Sequence, residues 1–334
     1  MIATNQLDRE LVEKARDLGI VGYLAYPFEP DALLKRVSAA LGQHQEMSKE
    51  QIQRNMVVAL KKILVLPTIS PVTNKLQELI QAQETSVGAV AEVIEFDQSI
   101  TAKVLQASNS PMFGQQKHIA SVADAVKVLG FERLESLVLA ASTFEAIGRI
   151  KESPDFPRLA FWQHSIGCGA VARVAASKLS MNSNQAFSAG ILHDVGKVIL
   201  DGYFSNFFNE ALKTASTQNI SIIEAEKEVS PITHEGVGRY LAILWRLPQS
   251  LVEVVGNHHS LVFKKEEHRS MVQLIHVANA YCRKHQIGFS GDHTEYEPAA
   301  EVLEQLGLEE GSLEDWSVQI QTEIDRSFSL LSLI

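Results

Sequence analysis

Six side chains able to hold a metal ion are distributed along the chain in a fixed order: His164, the pair His193-Asp194, His234, and the pair His258-His259. Neutral imidazole and carboxylate are suitable donors for Fe, Mn or Zn, and an aspartate lying between two ions can bridge them. An ion held this way lowers the pKa of its water enough to supply hydroxide near neutral pH, the chemistry of a metal-dependent phosphohydrolase. The same residues also read as core histidines, each hydrogen-bonded to a neighbour and binding nothing. Both readings stay open at this level.

Such a site needs its donors carried on separate rigid elements that converge, and the local patterns supply them. Residues 158–180 have helical spacing, with His164, Cys168, Val171 and Ala175 on one inward stripe. In Gly190-Ile-Leu-His193-Asp194-Val-Gly196-Lys197, apolar residues lead into the His-Asp pair, and a glycine lets another backbone come close. His234 opens a helix that reads on to Trp245, and after Leu247-Pro248 a further helical run ends at Asn257-His258-His259. A helix from Met271 to Lys284 carries His276 and Asn279 on one face. Lys197 is the one candidate catalytic group; it could orient a phosphate, but a solvated helix face is the expected place for it. His118, His268, His285 and His293 lie in polar surroundings and read as surface residues.

The rest of the chain is also helical in pattern. From Leu66-Pro67 to about residue 150, apolar residues recur at i, i+3 and i+4 in LQELIQA, VAEVIEF, AKVLQAS, AVKVLGF and LVLAAS, interrupted at Pro71, Asn109-Ser110-Pro111, Gly130 and Gly148. No stretch alternates long enough to predict a sheet there, so the expected class is all-α. Residues 1–44 read as helix, strand, helix around Gly19–Ala25, and residues 45–65 as a connecting helix. Beyond Gly291, residues 298–306 and Ser312 onward predict further helices, with Phe328–Ile334 packing over the bundle or a dimer partner.

Composition limits the function classes. The 334 residues are 46% hydrophobic, enough for ordinary cores without cross-links. Thirty basic against forty acidic residues give −10, which opposes binding a polyanion, so no nucleic-acid partner is expected. No apolar run approaches the roughly 20 residues a membrane span requires. With no leader pattern and with Cys168 and Cys282 in apolar helical segments, a cytoplasmic protein with reduced thiols is expected.

Four stretches, taken with the histidine elements, resemble the HDOD (HD-related output domain) family over roughly residues 66–262. They are Leu66-Pro67-Thr-Ile-Ser-Pro71, Val90–Asp97, Thr101–Gly114 and Ser121–Gly130. The order H…HD…H…HH resembles the HD-superfamily phosphohydrolases, and His258-His259 the dinuclear HD-GYP branch. That resemblance implies a helical bundle, completed by residues 263–334, with a divalent metal site at His164, His193, Asp194, His234, His258 and His259. The departures are specific: Asn279 stands where catalytic members carry a final aspartate, Ala160 where the HD-GYP branch can supply a glutamate, and Ser260-Leu-Val-Phe replaces the Gly-Tyr-Pro segment.

With two carboxylates missing, the resemblance implies a signalling output module that binds a protein or small nucleotide, and that can dimerise. The alternatives are a metal-dependent phosphohydrolase or cyclic-dinucleotide phosphodiesterase, or a metal or redox sensor using Cys168. Gly22–Pro30 resembles the closing third of a response-regulator receiver, with Tyr26 in place of that domain's lysine and without its phosphoacceptor. It reads as a structural or dimerising appendage.

Overall fold

The computed structural model describes residues 2–4, 23–25 and 66–333, except 83, 84, 114–117, 149, 230, 231, 262–264 and 295. Near the start, β1 (Ile2–Thr4) pairs in parallel with β2 (Tyr23–Ala25), Ile2 opposite Tyr23 and Thr4 opposite Ala25. The expected helix–strand–helix reading missed the first strand, because three residues carry no measurable periodicity. The flanking helices of that reading, the connecting helix 45–65 and most of the receiver-like stretch lie outside the described residues.

From Leu66 onward the described residues are all-α. Five helices come first: α1 (Pro71–Gln81), α2 (Val87–Glu95), α3 (Gln98–Ser108), α4 (Val122–Leu129) and α5 (Phe131–Gly148). Their starts are written in the sequence. Ser70, Ser86, Asp97 and Ser121 each turn a side-chain oxygen onto a first-turn N–H, and Pro71 fills a position where its missing N–H costs nothing. Asn109 ends α3 and Gly130, at φ +76°, ends α4, as the breakers predict.

The second half runs through α6 (Arg158–Lys178), α7 (Ser183–Leu192), α8 (Val195–Tyr203), α9 (Ser205–Gln218), α10 (Ile222–Val229), α11 (His234–Leu244), α12 (Gln249–Asn257) and α13 (Arg269–Lys284). It closes with α14 (Ala300–Leu306), α15 (Ser312–Asp315), α16 (Ser317–Ser327) and a 3₁₀ turn, Phe328–Leu333. No helix among the described residues is long and apolar enough to cross a membrane.

The two halves share one hydrophobic core that runs from Ile69 to Leu333. Phe144 of α5 meets Trp162 of α6 edge to face at 4.5 Å between centroids, a pairing that adds roughly 0.5–1.5 kcal/mol to simple burial. Trp245, just past α11, donates its indole N–H to Pro67 O at 2.8 Å, fixing the entry of the chain. The terminal 3₁₀ turn buries Leu330 and Leu333 against α3 and α6, and Lys103 donates to Leu333 O at 2.6 Å. The tail therefore packs on the bundle.

One close approach decides where the centre can form. Gly196, in the first turn of α8, lies so near α11 that an added Cβ would sit 2.1 Å from His234 O. Gly88 on α2 has open space around the same position. Gly196→Ala should therefore lower the thermal midpoint by several degrees and displace His234. Gly88→Ala should leave the midpoint unchanged or raise it, since it removes only backbone freedom from the unfolded chain. Equal midpoints for the two variants in a melting experiment would contradict this packing.

Candidate metal centre

The donors sit mostly at helix ends, which aim them at one point. His193 closes α7 and Asp194 begins α8, so the His-Asp pair occupies the sharp joint between two helices. His234 is the first residue of α11, behind the capping hydroxyl of Thr233. His258 closes α12, with His259 directly after it, while His164 projects from the middle of α6. Asp194 is a favoured capping residue, yet its carboxylate makes no capping hydrogen bond to α8. It turns to the histidines instead.

Around that carboxylate the described residues form two overlapping donor groups, Asp194 with His234, His258 and His259, and Asp194 with His164 and His193. Within each group the donor atoms lie within 4.8 Å of one another. Oδ1 is 3.4 Å from His234 Nε2 and 3.3 Å from His258 Nε2, and Oδ2 is 3.2 Å from His193 Nε2 and 3.8 Å from His164 Nε2. His234 and His258 face each other through Nε2 at 3.3 Å. Every residue predicted as a ligand from the sequence is thus brought to this centre.

The far sides of four of the five rings are anchored. His193 Nδ1 is 2.6 Å from Gly190 O, His164 Nδ1 3.2 Å from Ile287 O, His258 Nδ1 3.2 Å from Val254 O, and His234 Nδ1 2.8 Å from Glu226 Oε2. In a neutral ring, an N–H donated outward from Nδ1 leaves the Nε2 lone pair facing inward, as metal-ligating histidines are held. Inside, Asp194 Oδ1 and the Nε2 atoms of His164, His193 and His259 are buried and make no hydrogen bond among the described residues, and neither do the amide atoms of Asn279. Buried polar atoms are normally satisfied. A divalent ion would satisfy the carboxylate oxygen and the imidazole nitrogens of this set, so the donor groups around Asp194 fit one.

Lys197 overturns its expected place on a solvated face. It is completely buried, with its ammonium 2.6 Å from Asp194 Oδ2 and 2.8 Å from Ser290 O. The reason is that α8 is covered from Val195 to Asp201, so a charge on it does not signal a wet face. An ammonium and a divalent ion about 4 Å apart repel by roughly 8 kcal/mol at an effective dielectric of about 20. His268 was also expected at the surface, but its side chain is only 13% exposed; His118, His285 and His293 are exposed as predicted.

The sequence reading missed the supporting residues. Glu226 accepts from both the backbone N–H and the ring of His234, and Glu235 accepts from the backbone N–H groups of His259 and Ser260. Glu226 was findable, since it shares the buried stripe of α10 with Ile222. Equally unforeseen is the segment after α13. Gly288, at φ +68°, lets the backbone pass where an added Cβ would lie 2.2 Å from His164 N. Phe289 N–H then donates to Ala160 O at 2.9 Å, and Ser290 O reaches Lys197. Tyr296 follows, its hydroxyl 3.1 Å from His276 O.

Burial sets the charge states. It pushes His164 down to about 3 and holds His234 and His259 well below the ordinary imidazole range, so these rings stay neutral. For His193 burial acts the same way, but the Asp194 carboxylate outweighs it and holds the ring up at about 9. Burial also opposes the charge of Asp194, which His193 and Lys197 nevertheless hold well below the usual carboxylate range. Burial pushes Glu226 up to about 8 and the thiol of Cys168, beside Cys282 and His193, above its ordinary value. The Cys168 thiol is therefore a poor nucleophile.

Two measurements follow from this network. His164 and His234 have folded pKa values below the unfolded value of about 6.5, so their contribution is complete above that pH and lost as pH falls beneath it. Urea midpoints in chelator should fall from pH 7 to pH 5, each ring contributing up to roughly 1.4 kcal/mol per pH unit, and His164→Gln should flatten the slope. His193 acts in the opposite sense, its contribution present below about 6.5 and lost as pH rises through about 9. Separately, Asp194→Asn strands a buried ammonium and should cost roughly 3–5 kcal/mol, much of it recovered in Asp194→Asn/Lys197→Met. A double-mutant cycle that found the two substitutions additive would contradict the pairing.

Comparison with known proteins places this arrangement. Residues 66–261 match the HDOD domain. A curated Treponema pallidum (strain Nichols) protein of uncharacterized function is 23% identical over 220 residues, covering 65% of this chain, which spans 42% of that relative's length. Three solved structures share the fold. An HDOD domain protein of unknown function from Geobacter sulfurreducens superposes with a TM-score of 0.72 at 22% identity, over 84% of this chain and 98% of that one. A protein from Marinobacter aquaeolei VT8, named as a candidate signal transduction protein, gives 0.67 at 18% identity over 96% and 71%. One from Shewanella amazonensis SB2B, named as a candidate phosphohydrolase, gives 0.62 at 20% identity over 81% and 97%. At these identities the structures establish the fold, and with more than half of its length matched to the domain itself, the chain belongs to the HDOD domain family.

Proposed function

We propose that this chain is a signal-transduction output module that acts by binding a protein or a small nucleotide, and that its His/Asp centre holds a divalent metal ion without turning over substrate. The observation that carries this reading is the closure of the centre. His164 is 1% exposed, and His193, Asp194, Lys197, His234, His258 and Asn279 are 0% exposed; of the proposed ligands, His259 alone is partly exposed. A hydrolase must bring a phosphorus atom into contact with the ion, and here Ile287, Phe289 and Ser290 are hydrogen-bonded to His164, Ala160 and Lys197 over one side of the centre.

The donor set supports the same reading. Asp194 is the one carboxylate in both donor groups, Asn279 offers an amide in place of a charge, and Ala160 offers nothing. Fe, Mn or Zn suits the imidazole-rich remainder. When bound, the ion would supply positive charge and acidify a coordinated water. The chain's own residues would orient it: Gly190 O, Ile287 O, Val254 O and Glu226 fix the rings. The relative named as a candidate signal transduction protein shares this fold.

A second reading, a metal-dependent phosphohydrolase, is favoured by the anchored rings and inward Nε2 atoms, and one solved relative is named as a candidate phosphohydrolase. The two readings separate in one experiment. Protein reconstituted with Mn²⁺, Fe²⁺ or Zn²⁺ under reducing conditions should retain an ion after desalting, yet show no hydrolysis of nucleotides or cyclic dinucleotides above the His193→Ala and Asp194→Ala backgrounds. Turnover abolished by both substitutions would replace the first reading with the second.

A further inference from the structure

Nearly all of the chain's net charge of −10 comes from one stretch. Between Gly291 and Trp316 there are nine acidic residues and no lysine or arginine, which leaves the rest of the chain close to neutral. Asp292 is buried and pairs with Arg283 inside the fold. Glu297, Glu309, Glu310 and Glu314 are exposed instead, and they stand around the mouth of a groove of about 280 Å³ between α13, α14 and α15. Its floor is apolar, formed by Val277, Ala280, Leu303 and Leu313. We propose that this groove docks a basic, amphipathic segment of a partner protein, with apolar side chains on the floor and arginine or lysine side chains on the carboxylate rim. The inference rests on the reading that the chain acts by binding a partner, and it adds the surface and the partner's chemistry.

Charge complementarity selects the occupant. A rim of carboxylates repels phosphate, so a nucleotide is the wrong ligand for this groove. The rim suits a cation, and one of the chain's own is already there. The Lys284 ammonium lies 3.0 Å from Glu297 Oε1 and 3.1 Å from Glu314 Oε1, across the mouth. Its side chain is 40% exposed, and exposed ion pairs of this kind are weak, so the ammonium can swing into solvent when another cation arrives. Glu309 and Glu310 have no ion pair among the described residues, which leaves that part of the rim to charge supplied from outside.

A bare ion would make no use of the floor. An amphipathic peptide uses both parts, its apolar anchors giving affinity and its charges giving orientation and faster encounter. The groove is smaller than the roughly 300–1,000 Å³ of small-molecule sites, a size for one or two side chains of a partner rather than a whole ligand. It also adjoins the supports of the His/Asp centre. The buried face of α13 carries Asn279 and Cys282, and Tyr296, beside Glu297, donates to His276 O, while the His276 ring lies 2.8 Å from His258 O.

The test uses the full chain and a defined probe, a fluorescein-labelled peptide of leucine and arginine with its leucines at helical spacing, read by fluorescence anisotropy at physiological salt. Wild type should bind it, and should not bind the counterpart with glutamate in place of arginine. Glu309→Lys/Glu310→Lys should weaken binding roughly tenfold, whereas Glu92→Lys/Glu95→Lys, the same change of net charge on the exposed face of α2, should alter it by less than about twofold. Leu303→Gln makes the floor polar without altering charge and should weaken binding as well. Lys284→Met should tighten it several-fold by releasing Glu297 and Glu314, and Lys75→Met, which removes an exposed lysine of α1, should not.

No binding by wild type would overturn the inference, and so would equal losses from the two charge reversals, which would show attraction to net charge alone. A dimer that Glu309→Lys/Glu310→Lys dissociates would assign the groove to a second copy of the chain, and calorimetric Ca²⁺ binding abolished by the same variant would assign it to a metal ion; either would overturn the inference. None of these outcomes bears on the metal-retention and turnover measurements that test the proposed function, so the two fail separately.

Discussion

A fully buried carboxylate must be neutralised, and the second half of this fold is organised around doing that for Asp194. An ionised group taken out of water costs many kilocalories per mole unless paired, and its usual escape is to pick up a proton. Asp194 does not take that route, because Lys197 and His193 bring positive charge to one of its oxygens. The pair explains why a lysine can sit with no exposure at all, and why α8 can be covered on every side. Removing either partner leaves the other charge stranded, so the two are fixed together.

That requirement reaches outward through the backbone. The rings about Asp194 are held by carbonyls at Gly190, Val254 and Ile287, groups that belong to three different parts of the chain. Ser290 O receives the second lysine hydrogen bond, and Asp292 just beyond it accepts from Ile222 N at 2.8 Å and pairs with Arg283. The segment after α13 is thereby tied to α6, α8 and α10 at once. Its order depends on the polar centre as much as the centre's dryness depends on it. Local rules give way where they conflict: Asp194 forgoes the helix cap that its side chain would otherwise make, worth about 1 kcal/mol.

Much of this was legible in the sequence because it rests on local rules. Helix starts at Ser70, Asp97 and Ser121 follow from side-chain oxygens placed before apolar periodicity, and the stops at Asn109 and Gly130 from residues that break a helix. The ordered histidines, each on its own element, predicted a convergence that the structure delivers. What escaped depends on partners distant in sequence. Lys197 reads as solvated because charge normally marks a wet face, and only its meeting with Asp194 and a carbonyl 93 residues away reverses that. Glu226 and Ser290 carry no spacing signal relative to the histidines they serve, and a carbonyl acceptor carries no side-chain signal at all.

A centre of this kind is expensive to keep if it does nothing. Replacing a buried ion pair by apolar residues of similar volume is often neutral or stabilising, so packing alone gives no reason for five imidazoles, a carboxylate and an ammonium in one dry core. Core histidines with purely structural roles would be expected to satisfy both ring nitrogens. Here the outer nitrogens of four rings have partners, while inner nitrogens of three, with one oxygen of Asp194, have no hydrogen bond among the described residues. That asymmetry is the signature of donors arranged for something between them. On the proposed reading, the amide at Asn279 and the burial of the donors separate the capacity to hold an ion from the capacity to present it to substrate. On physical grounds these are different demands, since the first needs converging lone pairs and the second needs an open coordination position with charge to spare. On the reading proposed above, the donor geometry of this chain meets the first.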